Sequence, residues 1–128
     1  MNMFDLYRVI LPVQDIEQAV AFYRHVFQVE GTRVSPGRHY FECGSTILAC
    51  YDAIADNDTV GDGWNFHENQ YLYFAVNNLA EAQSRVLAAG GELISEIESM
   101  PWGETLFYGT DGSGSRLCFV DDQTKFVG

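Results

Sequence analysis

The feature that most constrains this chain is a strand–cap–helix phrase that occurs twice. In YLYFAVNNLAEAQSRVLAAG (Tyr71–Gly90), Leu72, Phe74 and Val76 alternate with Tyr71, Tyr73 and Ala75. A two-residue period of this kind marks a half-buried strand. Asn77 and Asn78 break it, and Asn78 suits a helix N-cap because its side-chain oxygen can accept an orphan backbone N–H. Leu79, Ala82, Val86 and Ala89 then recur at helical spacing, and Gly90 and Gly91 stop the helix. The stretch RVILPVQDIEQAVAFYRHVFQ (Arg8–Gln28) says the same thing earlier. Val9, Leu11 and Val13 alternate with Arg8, Ile10 and Pro12, Asp15 is the cap, and Ile16, Ala19, Tyr23 and Val26 make the apolar face. Cap falls on cap at an offset of about 63 residues, with Arg8 on Tyr71 and Val13 on Val76.

A chain of 128 residues holds one ordinary domain, and two repeats of half that size would be small to stand alone. The repeats are therefore expected to share one domain, 1–128, with a first module at 7–52, a connector at 53–70, a second module at 71–122 and a tail at 123–128. Strands are expected near Val29–Ser35, Arg38–Cys43 and Thr46–Asp52 in the first module, the last two joined at Gly44-Ser45. The second module repeats the order with Glu92–Ile97, Glu104–Thr110 and Ser115–Asp121. The connector is rich in Asp, Asn and Gly but carries Trp64-Asn65-Phe66-His67. Those residues either pin the loop to the core or form a lid over a pocket. Two copies of βαβββ make eight strands and two main helices, an α+β fold. With one face of each sheet under a helix, the other faces can curl around a shared cavity as a mixed-sheet cup.

The formal net charge of −11 argues against nucleic acid and against an anionic membrane, since both need a basic surface. Acidity serves solubility, or attracts a cationic ligand. No apolar run approaches the length that spans a bilayer, and the N-terminus has no basic-then-apolar leader pattern. Cys43, Cys50 and Cys118 cannot all pair and show no CxxC spacing, which suggests a reducing cytoplasm.

VILPVQDIEQAVAFY, its second copy YLYFAVNNLAEA and the closing PWGETLFYGTDGSGSRLCFVDD resemble the vicinal oxygen chelate superfamily, which includes glyoxalases, bleomycin-resistance proteins and extradiol dioxygenases. The resemblance runs from about Tyr7 to Asp122. It implies a divalent metal held in the cup by His, Glu or Gln at four strand positions. Here those positions fall on Arg8, Tyr71, Cys118 and either Leu48 or Cys50, and none is a His or a carboxylate. Arginine offers donors only, and tyrosine ligates poorly unless ionised. Two thiols alone do not make a hard-metal site. No metal or other cofactor is therefore expected. The histidines His25, His39 and His67 lie outside the pattern.

What remains is a binding cup whose candidate lining is Arg8, Tyr71, Tyr73, Cys50, Cys118, Trp102 and Glu104. The inward faces of the trusted strands carry Arg8 and Ile10, Tyr71 and Tyr73, and Arg116 and Cys118, with Trp64, Phe66 and Trp102 near the rim. Arginine among aromatics suits a planar or anionic small molecule, unless Arg8 pairs internally with Glu42 or Glu104. The expected function is a metal-free, small-molecule binding protein of the glyoxalase/bleomycin-resistance type that sequesters or senses its ligand, working as a homodimer. The alternatives are a lyase, isomerase or dioxygenase, either metal-dependent with relocated ligands or metal-free with Tyr71 or Glu104 as acid or base, and a structural dimer with a filled cup.

Overall fold

A computed structural model describes residues 3–61, 63–64 and 67–128. Contacts divide the chain into two units, Met1–Phe66 and His67–Gly128, and each carries one copy of the repeated phrase. In the first unit the order is β1 (Arg8–Pro12), α1 (Ile16–Phe27), β2 (Thr32–Ser35), β3 (Arg38–Cys43) and β4 (Thr46–Tyr51). The sheet runs β1-β4-β3-β2. β1 and β4 are parallel, and the hairpins β3–β4 and β2–β3 are antiparallel.

Helix α1 starts where the sequence places its cap. The Asp15 carboxylate accepts the N–H groups of Glu17 and Gln18, filling two of the orphan donors of the first turn. A third, Ile16 N–H, is taken by the buried carboxylate of Asp52, just past β4. The helix ends at Gln28 in the left-handed region, φ 57°, and its cap N–H reaches the Arg24 carbonyl. The apolar face of α1 covers one side of the sheet. Phe22 and Tyr23 are fully buried, and the Tyr23 and Phe27 rings lie against Phe41 of β3 at 6.0 and 5.8 Å. His39 joins this layer, its ring 4.9 Å from Phe41.

The second unit has β5 (Tyr71–Val76), α2 (Leu79–Ala88), β6 (Glu92–Leu93), β7 (Glu98–Ser99), β8 (Thr105–Thr110) and β9 (Arg116–Asp121). Its sheet runs β5-β9-β8-β6, with β7 also paired to β8. Asn78 caps α2 through Glu81 N–H, 3.0 Å. Beneath the helix, Phe74, Phe119 and Phe107 stack at 5.5 and 5.0 Å.

The α+β class and the paired βαβββ modules are as expected, with one difference in strand count. Of the strand expected at Glu92–Ile97 only Glu92–Leu93 (β6) forms, and a second short piece, β7, follows at Glu98–Ser99, each bonded to β8. Between them, Ile94 N–H and Ser95 N–H both turn to the Tyr108 carbonyl, and Ser95 Oγ accepts Tyr108 N–H at 2.9 Å. This interrupts the ladder, so the described residues form nine strands in place of eight. Among the described residues no helix is long and apolar enough to cross a membrane.

Candidate functional site

Side chains alternate across a strand, so the face each helix leaves uncovered follows from register. In the second unit Tyr71, Tyr73 and Ala75 of β5 stand beside Arg116, Cys118 and Val120 of β9. These in turn stand beside Thr110, Tyr108 and Leu106 of β8. Tyr73, Cys118 and Tyr108 form one rung. The two phenol oxygens approach to 3.3 Å, and Cys118 is fully buried beneath, packed with Leu106, Val120, Met100 and Tyr108. Burial is the main cause that pushes the Cys118 thiol up to about 12, so it is protonated and unreactive near neutral pH. The Tyr73 phenol is raised as well, first through its hydrogen bond to Tyr108. One rung along, the Tyr71 ring meets Tyr108 edge to face at 5.6 Å, and the Arg116 guanidinium lies 6.0 Å from the Tyr71 ring centroid.

Glu104 precedes β8 and is buried, but its oxygens are engaged. Trp102 Nε1–H donates to Oε1 at 2.8 Å and Phe126 N–H donates to Oε2 at 2.9 Å. The Phe126 bond, then the Trp102 bond, hold its carboxyl below the usual range. Glu104 thus ties the C-terminal tail and the half-exposed Trp102 to the start of β8.

In the first unit the uncovered face carries Arg8, Ile10 and Pro12 of β1, Ile47, Ala49 and Tyr51 of β4, and Glu42, Tyr40 and Arg38 of β3. Arg8 lies over Tyr7 and Tyr40, at 5.2 and 5.6 Å, and donates to the Tyr40 hydroxyl at 3.3 Å. Among the described residues it forms no ion pair, so the internal pairing with Glu42 is not made. Arg38 lies 4.1 Å over the Tyr51 ring, within reach of Asp56 and Asp58.

Cys50 requires a correction. It pairs with Leu11 and His39, and Leu48 pairs with Val9 and Phe41, so both side chains belong to the helix-covered layer, away from the open face. The run ILACY has no alternation from which its facing could be read, and parallel pairing with β1 decides it. On β4 the uncovered positions are Ile47, Ala49 and Tyr51.

The aromatic connector is visible in part. The Trp64 ring packs edge-on against Tyr51 at 5.2 Å, which supports the pinning role. His67 is exposed and accepts Asn69 N–H, and Phe66 lies outside the described residues. His25 is exposed on α1. His39 is structural, with Nδ1 accepting Arg33 Nε–H at 3.3 Å, so that Nε2–H donates to the Glu30 carbonyl at 2.9 Å. Tyr108 was not among the residues singled out from sequence. Its signal was the alternation Leu106, Tyr108, Thr110, legible once β8 is aligned with β9.

The family model for the Glyoxalase/Bleomycin resistance protein/Dioxygenase superfamily matches residues 6–119. The chain belongs to this superfamily. No curated protein sequence matches it. Among solved structures it is similar to a glyoxalase-related enzyme from Fulvimarina pelagi, with 19% identity, TM-score 0.77, and 98% of this chain and 94% of that one covered. It is also similar to a structure described as lactoylglutathione lyase from Agrobacterium tumefaciens, at 20% identity, TM-score 0.72, and 95% and 97% coverage. A glyoxalase/bleomycin resistance protein/dioxygenase from Nocardioides is 23% identical, with TM-score 0.70 and coverage of 94% and 85%. At these identities the likeness concerns the fold.

The residues at the metal positions of this superfamily member do not fit a hard divalent ion. By the resemblance they are a guanidinium at Arg8, a phenol at Tyr71, a thiol pushed up to about 12 at Cys118, and Leu48 or Cys50 on β4, both of which turn to the helix-covered layer and leave Ile47 and Ala49 on the uncovered face. Among the described residues no three His, Cys, Asp or Glu side chains converge.

Proposed function

We propose that this superfamily member is a metal-free small-molecule binding protein, which sequesters or senses its ligand on the uncovered faces of its sheets. The observation that carries this reading is the rung Tyr73–Cys118–Tyr108 with Tyr71 and Arg116 beside it. It offers aromatic surface and hydroxyls but no carboxylate, imidazole or ionised thiol to move a proton or hold an ion. Such a mostly apolar face with a few polar groups suits a small planar molecule. An acid–base role for Glu104 gains no support, because both oxygens already accept hydrogen bonds. Among the described residues, the contacts of the Tyr71 ring are the Tyr108 ring and the Arg116 guanidinium, neither of them a base. Within this reading the protein works as a cytoplasmic homodimer, and a scattering mass near 14.4 kDa would count against the dimer.

Two measurements test the reading. Metal analysis of protein purified without a chelator or metal-affinity tag should find no stoichiometric nickel, zinc, iron or manganese. A thermal-shift screen of small molecules should find compounds that raise the melting temperature. A ligand present at a hundredfold its Kd adds about 2.7 kcal/mol, a rise of roughly 10 °C for a chain of this length. Stoichiometric metal that is lost on changing Tyr71 or Cys118 would refute the metal-free reading. A broad library without a hit would favour a filled, structural face.

A further inference from the structure

The geometry points to Arg116 as the anion anchor of the second sheet's uncovered face, which makes the ligand class of that face a small aromatic carboxylate. This rests on the binding reading above and narrows it. Two independent observations carry it. Arg116 Nε is buried with no hydrogen-bond partner, and the guanidinium has no ion pair among the described residues. The guanidinium lies 6.0 Å from the Tyr71 ring centroid. A cation placed this way, in a chain of formal net charge −11, has every opportunity to find a carboxylate and has none. A buried guanidinium donor without an acceptor is costly, and the acceptor it matches best is a planar oxyanion bound by two parallel N–H groups.

The second observation is what stands beside the arginine. Across the sheet Arg116 is flanked by Tyr71 and Thr110, so a phenol and a hydroxyl share its rung. The next rung on the same face is Tyr73–Cys118–Tyr108, about 7 Å along the strand at two residues' rise. A carboxylate at Arg116 would point its ring along β9 toward Tyr73 and Tyr108, whose paired hydroxyls close the face over Cys118 and would meet the ring's far edge. That spacing matches a carboxylate joined directly to a six-membered ring. Asp111, next to Thr110 in β8's exit, spends Oδ1 on Ser113 and Ser115 N–H, and the carboxylate in register on the same face is Glu92 of β6, on the far side of Thr110, two strand spacings or roughly 10 Å away.

The test uses the whole chain with benzoate as probe and benzamide as its neutral isostere, followed by amide NMR titration. Benzoate should shift amides of β5, β8 and β9 saturably. It should move the Arg116 Nε–H resonance downfield and bind at least tenfold more tightly than benzamide. Arg116→Gln should lose that preference, while Arg116→Lys keeps the charge but not the fork and should retain part of it. Raising salt from 20 to 500 mM should weaken benzoate severalfold and leave benzamide unchanged. The Nε–H signal is read in the unaltered protein, so a failure of Arg116→Gln to fold leaves the test intact. Equal binding of benzoate and benzamide would overturn the anion anchor while leaving the binding reading standing. Benzoate binding that survives in folded Arg116→Gln, or shifts confined to β1 and β3 around Arg8, would also overturn it. If neither probe binds, the aromatic-carboxylate class is refuted, and the thermal-shift screen decides the wider reading separately.

Discussion

Asp52→Ala should destabilise the first unit more than Asp15→Ala, although Asp15 is the cap that any reader of the sequence would choose. Asp15 accepts two N–H groups at the start of α1, from a largely exposed position. Removing such a cap costs about 1 kcal/mol, because water can replace the acceptor. Asp52 is buried, and its two oxygens serve two different segments. Oδ2 accepts Ile16 N–H at 3.3 Å and Oδ1 accepts Ala55 N–H at 3.1 Å. Hydrogen bonds to a charged acceptor contribute about 1.5–3 kcal/mol each. The Ile16 bond is long and belongs at the low end. Facing the positive end of the helix dipole adds about 0.5 kcal/mol. With some recovery by entering water, the loss is about 3 kcal/mol. At a urea slope near 2 kcal/mol/M the midpoint should fall by about 1.5 M, against about 0.5 M for Asp15→Ala. Urea unfolding followed by circular dichroism reads both. Asp52→Asn, which keeps one acceptor oxygen, should lose roughly half as much as Asp52→Ala. A midpoint for Asp52→Ala at or above that of Asp15→Ala would refute the reasoning, as would equal losses for the Asn and Ala variants.

Burial, then the positive charges of Arg24 and Arg33, lower the His39 pKa from 6.5 against the opposing pull of the Glu30 carbonyl. The fold therefore favours neutral imidazole. Its contribution is fully present above the unfolded value near 6.5 and is lost as pH falls through that value toward the folded one. Thermal melts from pH 8 to 5 should show this decline, and His39→Gln should flatten that part of the profile. Cys118, with its thiol pushed up to about 12 and no exposure, should resist Ellman's reagent at pH 8 until the protein unfolds. Mass-spectrometric mapping that finds Cys118 labelled in the native state would contradict the buried rung. Glu104→Ala should release the tail, and digestion with a lysine-specific protease at Lys125, the one lysine, should quicken several-fold. An unchanged cleavage rate would show that Glu104 does not hold it.

Much of this protein was decided locally. Alternation over Tyr71–Val76, the caps Asp15 and Asn78 and the helical spacing behind them are short-range matters of side-chain period and backbone donors. The strand and helix assignments and the superfamily followed from them. The faces of β5 and β9 were legible for the same reason, and so Tyr71, Tyr73 and Cys118 stand together as the alternation required. Other features needed the pairing of distant strands. Whether Cys50 faces the helix or the open side is set by its register with Leu11, because a strand apolar at every position carries no mark of its own facing. Tyr108 joined the site only when β8 was laid against β9. The strand expected at Glu92–Ile97 broke because Ser95 found a partner in Tyr108, thirteen residues on. Glu104, read as a cavity carboxylate, became a tether once the tail returned to it. Asp52 completes a helix cap from thirty-six residues away. Each of these depends on which backbone groups long-range folding brings within hydrogen-bond reach, and composition and periodicity carry no information about that distance.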